Sequence, residues 1–122
     1  MSLDFYLHYP IHHTCEKCHY EQKLDSGEVC YRTNITHNLN SMAEHAGIYK
    51  CLWRPEENDF KFASDIILSL ELGIQKLESD PLLFSSFNPS NGWGRYENLL
   101  EFAKEVLHYC KEYPDAFIKV SR

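Results

Sequence analysis

No stretch of this 122-residue chain is strongly basic, and none is both long and apolar. Twelve Lys and Arg stand against 18 Asp and Glu, for a net charge of −6. Duplex nucleic acid is held largely by cations that neutralise its phosphates, so no general nucleic-acid binding is expected. A membrane span needs about 20 predominantly apolar residues in succession, and the chain has no such run, so no membrane partner is expected either. "MSLDFYLHYP" is a poor secretory leader, with Asp4 and Tyr6 inside its short apolar stretch. Five cysteines cannot all pair within one chain. Without an export signal they read as reduced thiols, and the expected location is cytoplasmic. Also missing are a Ser-His-Asp order, a nucleophile elbow, a Walker lysine and a dinucleotide fingerprint.

What is present is the composition of a folded protein. Hydrophobic residues at 43% and aromatics at 14% are enough for one core, so a single domain over residues 1–122 is expected. "LDFYLHY" reads as a strand stopped by Pro10, and "HYEQKL" and "EVCYRTNI" as a hairpin turning on "DSG". Ile35, Leu39, Met42 and Ala46 recur every three or four residues, which predicts a first helix capped by Thr33 or Asn34 and ended at Gly47. "IYKCLW" is expected to be buried and "RPEEN" to turn. A second helix is expected from Ser64, and a short third after the cap Asp80, with Pro81 in its first turn. The last helix covers "RYENLLEFAKEVLHYCKEY", with Tyr96, Leu99, Leu100, Ala103, Leu107 and Cys110 inward, and "AFIKVS" closes as a strand. Strands, then helices, then a strand give an α+β fold: a small antiparallel or mixed sheet of three to four strands packed by about three helices.

Four constellations can carry chemistry. In "HHTCEKCH" the thiolates of Cys15 and Cys18 are spaced to chelate one soft cation. Zinc in a structural role would complete its four ligands from His19, Cys30, His12, His13 or His37. A reduced turn that binds nothing, or a redox pair, remains open, although a redox pair would want a helix N-terminus and this one precedes a strand. On the predicted first helix, Asn34, Asn38, Ser41 and His45 fall at spacings of four, three and four, opposite the apolar stripe, with His37 beside them. These are neutral hydrogen-bonding groups where a solvated helix would carry Lys and Glu, and the set reads as a ligand- or partner-facing surface. Single residues among them can equally serve the core. "FNPSNGWGRYE" places Asn91 and Trp93 in a glycine-rich loop before a helix, as a binding edge or as a core plug. Trp53-Arg54 combines two residue types enriched at binding hot spots.

"SLDFYL", "NITHNLNSMAEHAGIYKCLWRP", "FNPSNGWGRYE" and "IKVSR", together about half the chain, resemble an uncharacterised family of small proteins encoded by bacteriophages and prophages. The resemblance implies a phage-derived accessory protein working in the host bacterial cytoplasm. Its signature positions fall on Asn34, Thr36, His37, Asn38, Trp53, Arg54, Asn88, Asn91, Gly92, Trp93 and Gly94 of this chain. The "CEKC" segment looks variable in the family, so any metal there would brace a hairpin and not carry the shared function. The functional expectation is a binding protein that acts on a host protein or sequesters a small, nucleotide-like ligand. The alternatives are an oligomeric assembly protein and a small hydrolase-like enzyme using His37.

Overall fold

The computed structural model describes residues 2–14, 16, 17, 21–90, 92 and 94–122. Three strands, β1 (Ser2–Thr14), β2 (Glu21–Thr36) and β3 (Phe117–Ser121), form an antiparallel sheet in the order β2-β1-β3. Among the described residues five α-helices lie between β2 and β3: α1 (Asn40–Ala46), α2 (Tyr49–Trp53), α3 (Ile67–Ser79), α4 (Pro81–Ser85) and α5 (Tyr96–Glu112). The fold is α+β as expected, with an all-antiparallel sheet of three strands. No described helix is long and apolar enough to cross a membrane.

Alternation along β1 sets the layers. Leu3, Phe5 and Leu7 are fully buried, and Tyr31, Ile35 and Ile118 join them from the flanking strands. Side chains alternate across a strand, so Asp4, Tyr6 and His8 stand on the opposite face, half-buried. The helices close the first face with one contiguous apolar cluster that includes Leu39, Met42, Trp53, Leu70, Leu77, Leu99 and Val106. In α5 the buried stripe is Tyr96, Leu99, Phe102, Ala103, Val106 and Cys110, while Leu100 and Leu107 are half-buried. The inward face is therefore turned slightly from the one expected. Asp80 caps α4 as predicted, its Oδ1 accepting the Leu83 N–H at 3.2 Å.

The predicted hairpin on "DSG" is corrected. Both of its arms pair with β1 and not with each other: His8 stands opposite Val29, and Pro10 opposite Asp25. Two steps along β1 thus match four along β2, and residues 26–28 bulge out of the ladder. Pro10 has no N–H to give a ladder, which is where a bulge is tolerated. Gly27 at φ +75° and its N–H bond to Asp25 Oδ1 (2.8 Å) are the turn chemistry read from the sequence, used inside a strand. β1 then continues past Pro10 to Thr14, paired with Glu21.

Candidate functional site

The first helix begins later than its apolar spacing suggests. β2 runs to Thr36, a 3-10 turn covers His37–Leu39, and α1 starts at Asn40. Ile35 is buried from a strand, so its fit to the helical period was accidental. Thr36, not Thr33 or Asn34, caps the 3-10 turn, its Oγ1 accepting the Asn38 N–H at 3.3 Å, and α1 itself starts from Leu39 without a side-chain cap. Asn34 is consequently on the sheet, opposite Asp4 and exposed. Asn38 and Ser41 are exposed on the 3-10 turn and α1. The four residues do not form one helical face.

Both histidines of this region are engaged by the protein's own aromatic rings. The Trp53 indole Nε1–H donates to His37 Nδ1 at 3.0 Å. An indole nitrogen can only donate, so Nδ1 accepts and the proton of the neutral ring sits on Nε2. That occupies the nitrogen a hydrolase would need as a base, which weakens the enzymatic reading of His37. His45 is exposed at one edge and stacks on Phe87, with centroids 4.3 Å apart and planes 22° from parallel. Trp53 itself is 2% exposed. Its ring belongs to the core and offers no open platform, a correction to its expected role.

The stretches singled out in the sequence do meet. Gly94, at φ +102°, lies so close to Thr36 and Leu39 that a Cβ there would stand 2.8 Å from Thr36 Cγ2 and 3.0 Å from Leu39 Cγ. Asn88 Oδ1 accepts the Tyr96 N–H at 2.8 Å and so orders the start of α5. Arg122 Nη1 donates to the Trp53 carbonyl at 2.7 Å and also meets Glu56. Asn91 and Trp93 lie outside the described residues.

Arg54 is the predicted site residue that lines a cleft with charged and aromatic neighbours. It stands beside a cleft of about 750 Å³ lined also by Glu44, Tyr49, Lys50, Glu57 and Asn58. Its Nε donates to the Tyr49 hydroxyl at 3.4 Å and its Nη1 to Glu57 at 3.2 Å. The Asn58 amide donates to the Arg54 carbonyl at 2.8 Å, fixing the backbone behind the guanidinium. The Tyr49 ring is stacked on Trp53 at 5.8 Å and 19°, so a buried indole braces the aromatic wall of the cleft.

Of the expected zinc ligands Cys15, Cys18, His19 and Cys30, Cys30 is the one that lies among the described residues. Cys15, Cys18 and His19 lie outside the described residues, and the ladder that leads to them ends at Thr14↔Glu21, with His12 opposite Lys23 and His13 opposite Gln22. Cys30 is not near that end. Its thiol donates to the Leu7 carbonyl at 3.3 Å, and Leu7 to Thr14 is seven strand residues, or roughly 23 Å. Burial also pushes the Cys30 thiol up, which favours the protonated form that a metal ligand must give up. Cys30 is therefore withdrawn from the ligand set. His37, tied to Trp53, is likewise part of another structure. Cys51 and Cys110 are core thiols, each pushed up to about 12 by burial. Among the described residues no group of three His, Cys, Asp or Glu is placed to hold a metal.

One constellation escaped the sequence reading altogether. On the face of the sheet opposite Leu3, Phe5 and Leu7, His8 Nδ1 meets Asp25 Oδ1 at 3.1 Å and Lys119 Nζ meets Asp25 Oδ2 at 3.3 Å. The Arg32 guanidinium lies over the Tyr6 ring at 5.9 Å. Burial alone would raise the Asp25 carboxyl, but the Gly27 N–H, His8 and Lys119 outweigh it and hold it below its ordinary value. These residues come from three strands, and only the bulge at residues 26–28 brings Asp25 within reach of His8. No local spacing in the sequence signals that. Comparison with family models, with curated proteins and with solved structures finds no match to this chain in any of the three.

Proposed function

We propose that this protein is a phage-derived accessory protein that works by binding in the host cytoplasm, and that the Arg54 cleft receives a small nucleotide-like ligand. The observation that carries this reading is the pairing of Arg54 and Lys50 with a braced aromatic ring, Tyr49, in one open cleft. A volume of about 750 Å³ falls within the range of small-molecule sites. Arg54 uses Nε and Nη1 on Tyr49 and Glu57, which leaves Nη2 to meet a phosphate. Tyr49 takes over the stacking role that Trp53, being buried, cannot fill. Titration with nucleoside mono- and diphosphates, followed by calorimetry, tests the reading. Arg54→Ala is expected to weaken binding about tenfold or more and to leave the melting temperature nearly unchanged, because its ion pair with Glu57 is exposed. Absence of heat with any nucleotide, or equal affinity in the variant, would reject the cleft as the site.

A second reading, assembly through helices, rests on four leucines. Leu68 and Leu72 on α3 are 67% and 53% exposed, and Leu82 and Leu83 on α4 are 86% and 50% exposed. Leu68 and Leu72 are one turn apart and share a face of α3, and adjoining exposed apolar groups are what an association surface requires. Sedimentation of the wild type and of a Leu68→Glu/Leu72→Glu variant decides it: a monomer in both cases removes the assembly reading.

Zinc remains part of the proposal, in a structural role at the end of the β1–β2 hairpin. Cys15, Cys18 and His19 would hold it, with His12 or His13 as fourth ligand now that Cys30 is excluded. Elemental analysis is expected to find about one zinc per chain, unchanged in Cys30→Ser and lost in Cys15→Ser, which should also melt at a lower temperature. Retention of metal in Cys15→Ser, or its loss in Cys30→Ser, would contradict this ligand set.

A further inference from the structure

The Arg54 cleft holds charge of both signs, and a phosphate accounts for only one of them. Arg54 closes α2 with its N–H bonded to the Lys50 carbonyl at 3.2 Å, so the two cations stand one helical turn apart. Against them the cleft sets two carboxylates, Glu44 and Glu57. Glu57 is engaged by Arg54 at 3.2 Å. Glu44 forms no ion pair among the described residues, and neither does Lys50. A carboxylate and an ammonium thus line one concavity without satisfying each other.

The fold keeps these two apart. Glu44 belongs to the last turn of α1, which stops at Gly47 in the left-handed conformation at φ +81°. Lys50 lies past that corner on α2, directly after Tyr49. The Tyr49 ring is half-buried, stacked on Trp53 and held at its hydroxyl by Arg54 Nε. The lining therefore offers a cationic end, a fixed aromatic ring and an unpaired carboxylate. An exposed carboxylate alone is merely solvated, and the other two groups give this one a direction. A ligand that meets all three has an anionic end and a planar ring. On that ring it needs two N–H donors side by side, because a carboxylate accepts through both oxygens.

Among the common bases this description selects one. Guanine carries N1–H and the N2 amino group at adjacent positions of one edge. Adenine and cytosine each place an acceptor nitrogen beside the amino group, and uracil sets its N–H between two carbonyls. A carboxylate facing any of those three meets a lone pair. We propose that the Arg54 cleft selects guanine nucleotides, with Glu44 accepting from guanine N1–H and N2–H. Tyr49 stacks on the base, and Lys50 and Arg54 hold the phosphate. The base preference rests on the nucleotide reading of the cleft and adds to it which base is bound.

Calorimetry of the full chain with the monophosphates of guanosine, inosine, adenosine and xanthosine tests the preference. The guanosine form should bind about tenfold or more tighter than the adenosine form, with inosine, which lacks the N2 amino group, between them. Glu44→Gln should bring guanosine and adenosine to parity. It should also raise the affinity for xanthosine, because the glutamine amide donates to xanthine O2 while its carbonyl accepts N1–H. Glu57→Gln should keep the guanine preference, since that carboxylate serves Arg54. Equal affinity for guanosine and adenosine in the wild type would overturn the selectivity and leave the nucleotide cleft standing. A preference that survives in Glu44→Gln, or vanishes in Glu57→Gln, would overturn the role of Glu44. No binding of any of the four up to about 10 mM would remove the cleft reading itself, and the base preference with it.

Discussion

Trp53→Ala is expected to lower the free energy of unfolding by about 3–5 kcal/mol, read as a shift in the urea midpoint at constant slope. The indole is 2% exposed, lies in the main cluster, backs the Tyr49 ring and donates to His37. Part of that loss is separable. His37→Ala strands the buried indole N–H without an acceptor, at a cost of about 1–3 kcal/mol. In a Trp53→Phe background the N–H is already gone, so adding His37→Ala should then cost clearly less than it does alone. Strict additivity of the two would show that the bond contributes nothing, and that His37 is free to serve a ligand as its sequence context suggested.

Gly94→Ala should be the most damaging of the loop substitutions. Two penalties combine there: a left-handed backbone at φ +102° and a Cβ at 2.8 Å from Thr36 Cγ2. Strain of this kind costs about 1–3 kcal/mol, and overpacking adds about 1–3 kcal/mol, so a total of about 2–6 kcal/mol is expected. Gly92, at φ +77°, is the internal comparison, because a Cβ there would meet nothing within 4 Å. Gly92→Ala should therefore show the strain alone. Equal losses in the two variants would mean that the approach of residue 94 to Thr36 and Leu39 carries no weight.

Sequence periodicity was informative wherever one element packs on one layer. The last helix, Gly47 as the stop of α1, Asp80 as a cap and the closing strand are all local decisions, and each stands in the structure. It failed where partner choice decides. "DSG" has the chemistry of a tight turn, but the pairing energy of both flanks goes to β1, so the same residues become a bulge. Ile35 fits the helical stripe and is buried, but from a strand, and that moved Asn34 off the supposed helix face. At the candidate site, Arg54 was legible as a hot-spot residue, whereas Tyr49 was hidden inside an apolar word, "IYKCLW". The His8–Asp25–Lys119 cluster depends on cross-strand register among three strands, and no spacing rule reaches that far.

The placement of β1 in the middle of the sheet has a consequence for biosynthesis. Its partner β3 pairs Asp4 with Ser121, a separation of 121 − 4 = 117 positions. On a translating ribosome, β1 is therefore made 117 positions before the residue of β3 that it must meet. Until then one edge of β1 can meet only β2, and the face formed by Leu3, Phe5 and Leu7 lacks Ile118. Long-range pairing of this kind slows folding and exposes an open strand edge for longer. A nascent chain stalled before residue 117 should therefore be held as a hairpin with partly packed helices, cleaved readily by protease, and become resistant only once β3 has left the exit tunnel.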